Sequence, residues 1–236
     1  MAVPTLPPAF QLVGLDREVA AFERAVRAAP RGIEDGTVYW SERTDRLDMA
    51  LVLEPEAPPA TALEAVLVLA VATCEALAAS LPPALPVACA WPGDLLLDGA
   101  RTGGVRAALA PTADPQELPP WLVLGLCLEL APRGGVPDAL PDLTSLADQG
   151  AGEVAATDLL DAVGRRFLHW AGRWREDGPA DLFAAWNRRC YRRGEEGMLT
   201  LNGERVAGRI GGLDTDGRFV IGQRRLPLTD AVELLA

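Results

Sequence analysis

The sequence predicts an α+β fold: a mixed β-sheet packed by helices, followed by a small all-β module. Three observations predict it. Several short segments alternate apolar and polar residues with period two. One almost uniformly apolar stretch of helical length separates two groups of such segments. After residue 193 the chain turns to short strand patterns punctuated by Asn-Gly and Asp-Gly.

Taken in order, the Pro-rich segment Met1 to Gln11 reads as extended chain. Leu12 to Ala29 carries Val19, Phe22 and Val26 at helical spacing, with Asp16 as N-cap. A turn at Gly32 to Gly36 leads into strands over Thr37 to Glu42 and Asp48 to Glu54. The loop Pro55 to Pro59 precedes a long helix over Thr61 to Ser80, which Pro82 to Pro86 ends. Strands follow at Val87 to Trp91, Asp94 to Leu97 and Thr102 to Ala110. Trp121 to Leu130 is nearly all apolar and reads as a central strand. The stretch Pro132 to Gly152 is loop-rich. Helices are expected at Thr157 to Trp174 and Asp181 to Arg193, capped by Thr157 and Asp181. Residues 1–193 thus form one expected domain. Residues 194–236 form a second, with strands at Met198 to Leu201, Glu204 to Leu213, Arg218 to Ile221 and Gln223 to Pro227, a pattern expected of a small SH3-like β-barrel.

Composition narrows the function classes. The chain has 236 residues, 49% of them apolar, enough for a substantial core. A net charge of −11 argues against a nucleic-acid partner, which needs basic surface. The apolar run Ala60 to Pro82 contains Glu64 and Glu75 and is expected to be a buried helix, so no membrane partner is expected. The N-terminal residues lack a signal-peptide pattern, and Cys74, Cys89, Cys127 and Cys190 are scattered without CxxC spacing, which points to reduced thiols in a cytoplasmic protein. With one His, no bound metal is expected. All 22 basic residues are Arg, so the chain has no side-chain amine to form a Schiff base or to be acylated.

The most specific segment is Trp91-Pro92-Gly93-Asp94, followed by Asp98-Gly99, Arg101 and Gly103-Gly104-Val105. It reads as strand, tight turn, strand, with an aromatic at the entrance and two glycines where something approaches the backbone closely. It resembles the Trp-Pro-Asn-Asp hairpin of biotin–protein ligases and their lipoate-ligase relatives. Trp91, Pro92, Asp94, Asp98, Gly99 and Gly104 match in order; Gly93 replaces the usual Asn, Ala90 a preceding Lys, and Arg101 the catalytic Lys. Gly36-Thr37-Val38, Leu51 to Pro55 and Leu122 to Glu129 resemble further strands of that family, with Glu129 near the place of an Asn. Val206 to Gly217 resembles the C-terminal module of the bacterial enzymes.

The resemblance implies the ligase-type catalytic fold and transfer of biotin, lipoate or octanoate to a carrier-protein lysine through an acyl-adenylate, with ATP and Mg as co-substrates. It implies Arg101 and Asp94 as catalytic residues. Ligand-binding residues would be Trp40, Arg43, Thr44, Trp91, Gly93, Gly103, Gly104 and Val105. It implies a biotinyl or lipoyl carrier domain as partner. One departure is large. The family's long Gly- and Arg-rich loop, which folds over the adenylate, is replaced by Trp40-Ser41-Glu42-Arg43-Thr44-Asp45-Arg46, without a glycine. A thiol-based acyl transfer is not expected, because neither Cys89 nor Cys127 sits in a nucleophile motif and no Lys is present as partner. His169, in the expected helix between Leu168 and Trp170, is expected to pack or face water. Arg188, Arg189, Arg192 and Arg193 form a basic cluster near the second helix's end, where they are expected to interact favourably with its dipole. Two readings follow for the function: a divergent ligase or acyltransferase, or a non-catalytic relative that keeps the acyl pocket or the carrier surface.

Overall fold

The computed structural model describes residues 3–132 and 143–231. Part of the loop-rich stretch Pro132 to Gly152 therefore lies outside the described residues. The first sheet has seven strands: β1 (Gln11–Leu15), β2 (Thr37–Ser41), β3 (Arg46–Leu53), β4 (Val87–Ala90), β5 (Asp94–Leu97), β6 (Ala100–Leu109) and β7 (Leu122–Glu129). Their order across the sheet is β1-β2-β3-β7-β6-β5-β4. β1 and β2 are parallel and every other pair is antiparallel, so the sheet is mixed. A second sheet is antiparallel with order β11-β10-β9-β8, built from β8 (Glu196–Leu201), β9 (Glu204–Leu213), β10 (Phe219–Ile221) and β11 (Arg224–Leu226).

Period-two alternation assigns the two faces of the large sheet. Leu47, Met49 and Leu51 of β3 and Leu124, Leu126 and Leu128 of β7 face one way, into the main core. There they meet α3 (Ala65–Ser80), which follows the single turn α2 (Pro59–Ala62). Twelve consecutive or near-consecutive residues of α3 are buried, so it is apolar on all sides. Only together with α2, over Pro59–Ser80, is this stretch long and apolar enough to cross a bilayer, and most of it is enclosed in the protein. The cover comes from α4 (Ala156–Asp177) and α5 (Ala180–Arg189), whose Leu159, Leu160, Val163 and Trp186 join the same core. Each fully buried Leu or Val there contributes about 1.5–3 kcal/mol.

Ala50 and Val52 of β3 and Val123 of β7 face the opposite side, under α1 (Ala21–Ala28) and its Phe22. Here the sequence expectation needs correction. Leu12 to Ala29 is not one helix: Gln11–Leu15 is an edge strand paired residue for residue with β2, and the helix begins only at Ala21. Parallel pairing with β2 outweighs a weak helical pattern. Asp16 caps nothing with its side chain; its carbonyl accepts the Val19 N–H at 2.8 Å. Asp48 of β3 lies by the start of α1: burial raises its carboxyl pKa and the Ala21 backbone offsets part of that rise. Likewise α4 and α5 start at Ala156 and Ala180, so Thr157 and Asp181 lie inside the first turns rather than at the caps.

Among the contacts that hold the second sheet against the first layer, two stand out. Asn187 of α5 donates to the Leu213 carbonyl at 2.9 Å and accepts the Leu213 N–H at 2.7 Å. Phe219 of β10 inserts between Trp91 and Trp186. The turns are those the sequence announces: Asp98-Gly99 and Asn202-Gly203 have positive φ at both residues, the geometry of two-residue hairpins.

Candidate active site

α1 covers only part of its face of the sheet. Its edge is marked by Phe22, whose ring occupies the space a side chain at Gly125 would take, and by Glu23. Arg106 of β6 lies over the Phe22 ring at 4.2 Å and pairs with Glu23 at 2.7 Å. Beyond Arg106 the sheet surface opens into a cleft of about 860 Å³. Its floor includes Gly104, Arg106, Cys127 and Glu129 of the central strands; one wall is the Trp91–Asp94 segment and another is Leu143 to Ser145. The remaining wall, Met198, Leu199 and Thr200, comes from β8 of the second sheet.

The β5–β6 hairpin sets the chemistry of this cleft. Asp94 faces Gly104 across the hairpin, and Arg101 faces Leu96. The register slips between Leu95 and Leu96, leaving Thr102 as the extra residue of a β-bulge. Arg101 and Asp94 project from the same side, and Arg101 Nε meets Asp94 Oδ1 at 2.8 Å. Both side chains stay about half exposed, at 54% and 45%. Burial pushes the Asp94 carboxyl up from its ordinary value, and the Arg101 charge only partly offsets this.

The two glycines opposite this pair answer to the sheet itself. A Cβ on Gly103 would lie 2.0 Å from the Cys127 carbonyl oxygen, and one on Gly104 would lie 2.9 Å from the Gly93 carbonyl oxygen. What approaches the backbone here is β7 and the turn after β4. The Gly93 carbonyl also accepts the Val105 N–H at 2.7 Å, fixing that turn over β6.

Of the residues singled out in the sequence, Trp91, Gly93, Asp94, Arg101, Gly103, Gly104 and Val105 come together around the cleft. Trp91 is nevertheless buried, stacked on Phe219 with centroids 5.3 Å apart. Trp40, Arg43 and Thr44 are not among the residues lining the cleft. Trp40 is buried in the core on the α3 side. Arg43 is tied to Asp45 by two contacts of 2.9 and 2.6 Å and donates to the Arg17 carbonyl at 3.0 Å. This pairing lowers the Asp45 pKa. Thr44 is exposed in the same short turn.

Sequence reasoning missed Arg106, Asp148, Thr144, Ser145 and the β8 residues. Arg106 was legible, since it lies two residues beyond Gly104 and so shares its face. Asp148 is held by Ser145, whose hydroxyl donates to it at 2.7 Å and whose N–H donates at 3.1 Å. Nothing in the sequence ties residues 198–200 to the hairpin. Two polar atoms in the cleft wall, Thr102 Oγ1 and Trp91 Nε1, are buried without a hydrogen-bond partner among the described residues. The Cys127 thiol on the floor is pushed up by burial and by Asp48 and Glu129, and burial raises Cys190 to about 11, so neither is disposed to act as a thiolate. Among the described residues no group of His, Cys, Asp and Glu is arranged to hold a metal ion.

Residues 6–188 match the model of the biotin/lipoate A/B protein ligase family. A curated relative, the biotin–[acetyl-CoA-carboxylase] ligase of Paracoccus denitrificans, is 27% identical over 173 residues, covering 72% of this chain and 71% of that protein. Among solved structures, a biotin protein ligase-like protein of unknown function from Silicibacter sp. TM1040 is 35% identical, with a TM-score of 0.85 over 96% of this chain and 98% of that one. The biotin protein ligase of Aquifex aeolicus shares the fold at 20% identity, with a TM-score of 0.76 over 92% of this chain and 96% of that one. Hairpin, sheet and family match agree, and the chain belongs to the biotin/lipoate A/B protein ligase family.

Proposed function

We propose that this protein binds a small carboxylic acid, of the biotin, lipoate or octanoate class, in the cleft over β6 and β7 and transfers it to a lysine of a biotinyl or lipoyl carrier domain. The observation that carries this reading is the Arg101–Asp94 pair, 2.8 Å apart on the wall of an open cleft. Arg101 supplies a planar fork of donors for the acyl oxygen or for the phosphate of an acyl-adenylate formed from MgATP as substrate. Asp94 receives the attacking amine. Its raised pKa suits a group that takes a proton as the carbon–nitrogen bond forms and the acyl–phosphate bond breaks, releasing AMP. Trp91, Gly93, Gly103, Gly104 and Val105 shape the wall. The relatives support the class: the Paracoccus protein is named for acetyl-CoA carboxylase as acceptor, and an Aquifex biotin protein ligase structure is a complex with biotin and ATP. The free cysteines suit a cytoplasmic, reducing setting.

A second reading, binding without adenylation, is favoured by one observation. The β2–β3 connection is only Glu42 to Asp45, and its Arg43 is engaged by Asp45 and the Arg17 carbonyl rather than turned to the cleft. Calorimetric titration with biotin, lipoate and octanoate, with and without MgATP, separates the readings when paired with pyrophosphate release and labelled transfer to a carrier domain. Acid binding with pyrophosphate release and transfer supports the enzyme. Acid binding alone supports the second reading, and no binding of any acid overturns both.

A further inference from the structure

We infer that Asp94 is a displaceable counter-ion for Arg101, so that a ligand binds by exchanging its own anionic group for the Asp94 carboxylate. This rests on the reading of the cleft as an acid-binding site and specifies how that site selects charge. Among the described residues, the two cations lining the cleft differ in their partners. Arg106 is committed to Glu23, on α1 and outside the cleft lining, and is further held by the Phe22 ring. Arg101 is paired with a carboxylate inside the cleft, on the same hairpin.

Three features make that pair exchangeable. It joins side chains each about half exposed, and such ion pairs are held weakly. The residue opposite Asp94 is Gly104, so no side chain from the facing position covers the carboxylate. Burial also costs the Asp94 anion more than Arg101 returns, so the pairing only partly stabilises that carboxylate. Among the described residues, the other charged groups lining the cleft are Arg106, Glu129 and Asp148, and Asp148 is already satisfied by Ser145. With Arg101 neutralised from within, the empty cleft gives little advantage to a non-specific anion. Once an acid takes the guanidinium, Asp94 is released beside the bound acyl group, where an amine must arrive.

The test compares biotin and octanoate with their uncharged primary amides by calorimetric titration of the full chain. Asp94→Asn keeps the shape and removes the competitor; acid affinity is expected to rise about two- to fivefold while amide affinity stays level. Asp94→Ser, a second way of removing the charge, is expected to act in the same direction. Arg101→Gln is expected to weaken the acids about tenfold or more and leave the amides unchanged. If the acids bind wild type but both Asp94 variants bind them equally well or more weakly, the counter-ion role is overturned while the acid-binding reading stands. If no acid binds wild type or any variant, the acid-binding reading fails and the inference with it.

Discussion

Trp91 and Phe219 lie face to face, their ring planes 9° apart and centroids 5.3 Å apart, although 128 positions separate them in the chain. One residue belongs to the hairpin entrance and the other to the small sheet. The stack therefore couples the wall of the cleft formed by β8 to the wall formed by the Trp91–Asp94 segment. Truncating either ring to Ala is expected to cost about 3–5 kcal/mol. A double-mutant cycle read by urea denaturation should show a coupling of about 0.5–1.5 kcal/mol beyond the separate losses. Additive effects would mean that the two sheets are joined by other contacts.

Gly103 has a stricter requirement than Gly104. A methyl group at 103 collides with backbone, the Cys127 carbonyl, at 2.0 Å, whereas at 104 the nearest atom is the Gly93 carbonyl at 2.9 Å. Gly103→Ala is expected to cost about 3 kcal/mol and Gly104→Ala about 1 kcal/mol, the two ends of the usual range for overpacking. Chemical denaturation gives both numbers, and a reversed order would refute this account of the β6–β7 contact.

Glu75 anchors three helices. It stands on α3, accepts the Trp170 indole N–H from α4 at 3.0 Å and the Arg189 guanidinium from α5 at 3.1 Å. Replacing it by Ala strands both donors in a half-buried site, with an expected loss of about 2–3 kcal/mol. Glu75→Gln should recover part of that, since an amide oxygen still accepts. Thermal melts of the two variants supply the comparison.

Glu64 gives a pH signature. Burial raises its pKa above the ordinary carboxyl value of 4.5, although the Trp174 indole donates to it at 2.8 Å. The folded state thus binds this proton more tightly than the unfolded chain, so stability rises as pH falls from neutrality through the raised folded value, and levels off below 4.5. Glu23 and Asp45, lowered by Arg106 and Arg43, act oppositely and lose their contribution as pH falls through the acid range. Glu64→Gln should therefore be more stable than wild type at pH 7, and the difference should vanish at about pH 4. Urea unfolding across that range is the measurement; a constant difference would contradict it.

The sequence by itself determined the strand-and-helix succession from β2 to β11, because period-two alternation, an all-apolar helix and Asp-Gly and Asn-Gly turns are local signals. It also determined that Asp94, Arg101 and Gly104 belong to one hairpin turning at Asp98-Gly99, whereas the bulge at Thr102 that sets Asp94 opposite Gly104 has no local signal. Tertiary structure decided the rest. β1 is a strand only because β2 lies beside it, and Asp48 reaches the start of α1 only because β3 runs beneath that helix. Arg43 is drawn to Asp45 and to the Arg17 carbonyl, a contact across 26 residues, and so away from the role its sequence position suggested. Met198, Leu199 and Thr200 reach the cleft through the docking of a separate sheet. Local patterns encode which face a residue presents, whereas closing a site requires contacts between distant segments, which no short stretch of sequence records.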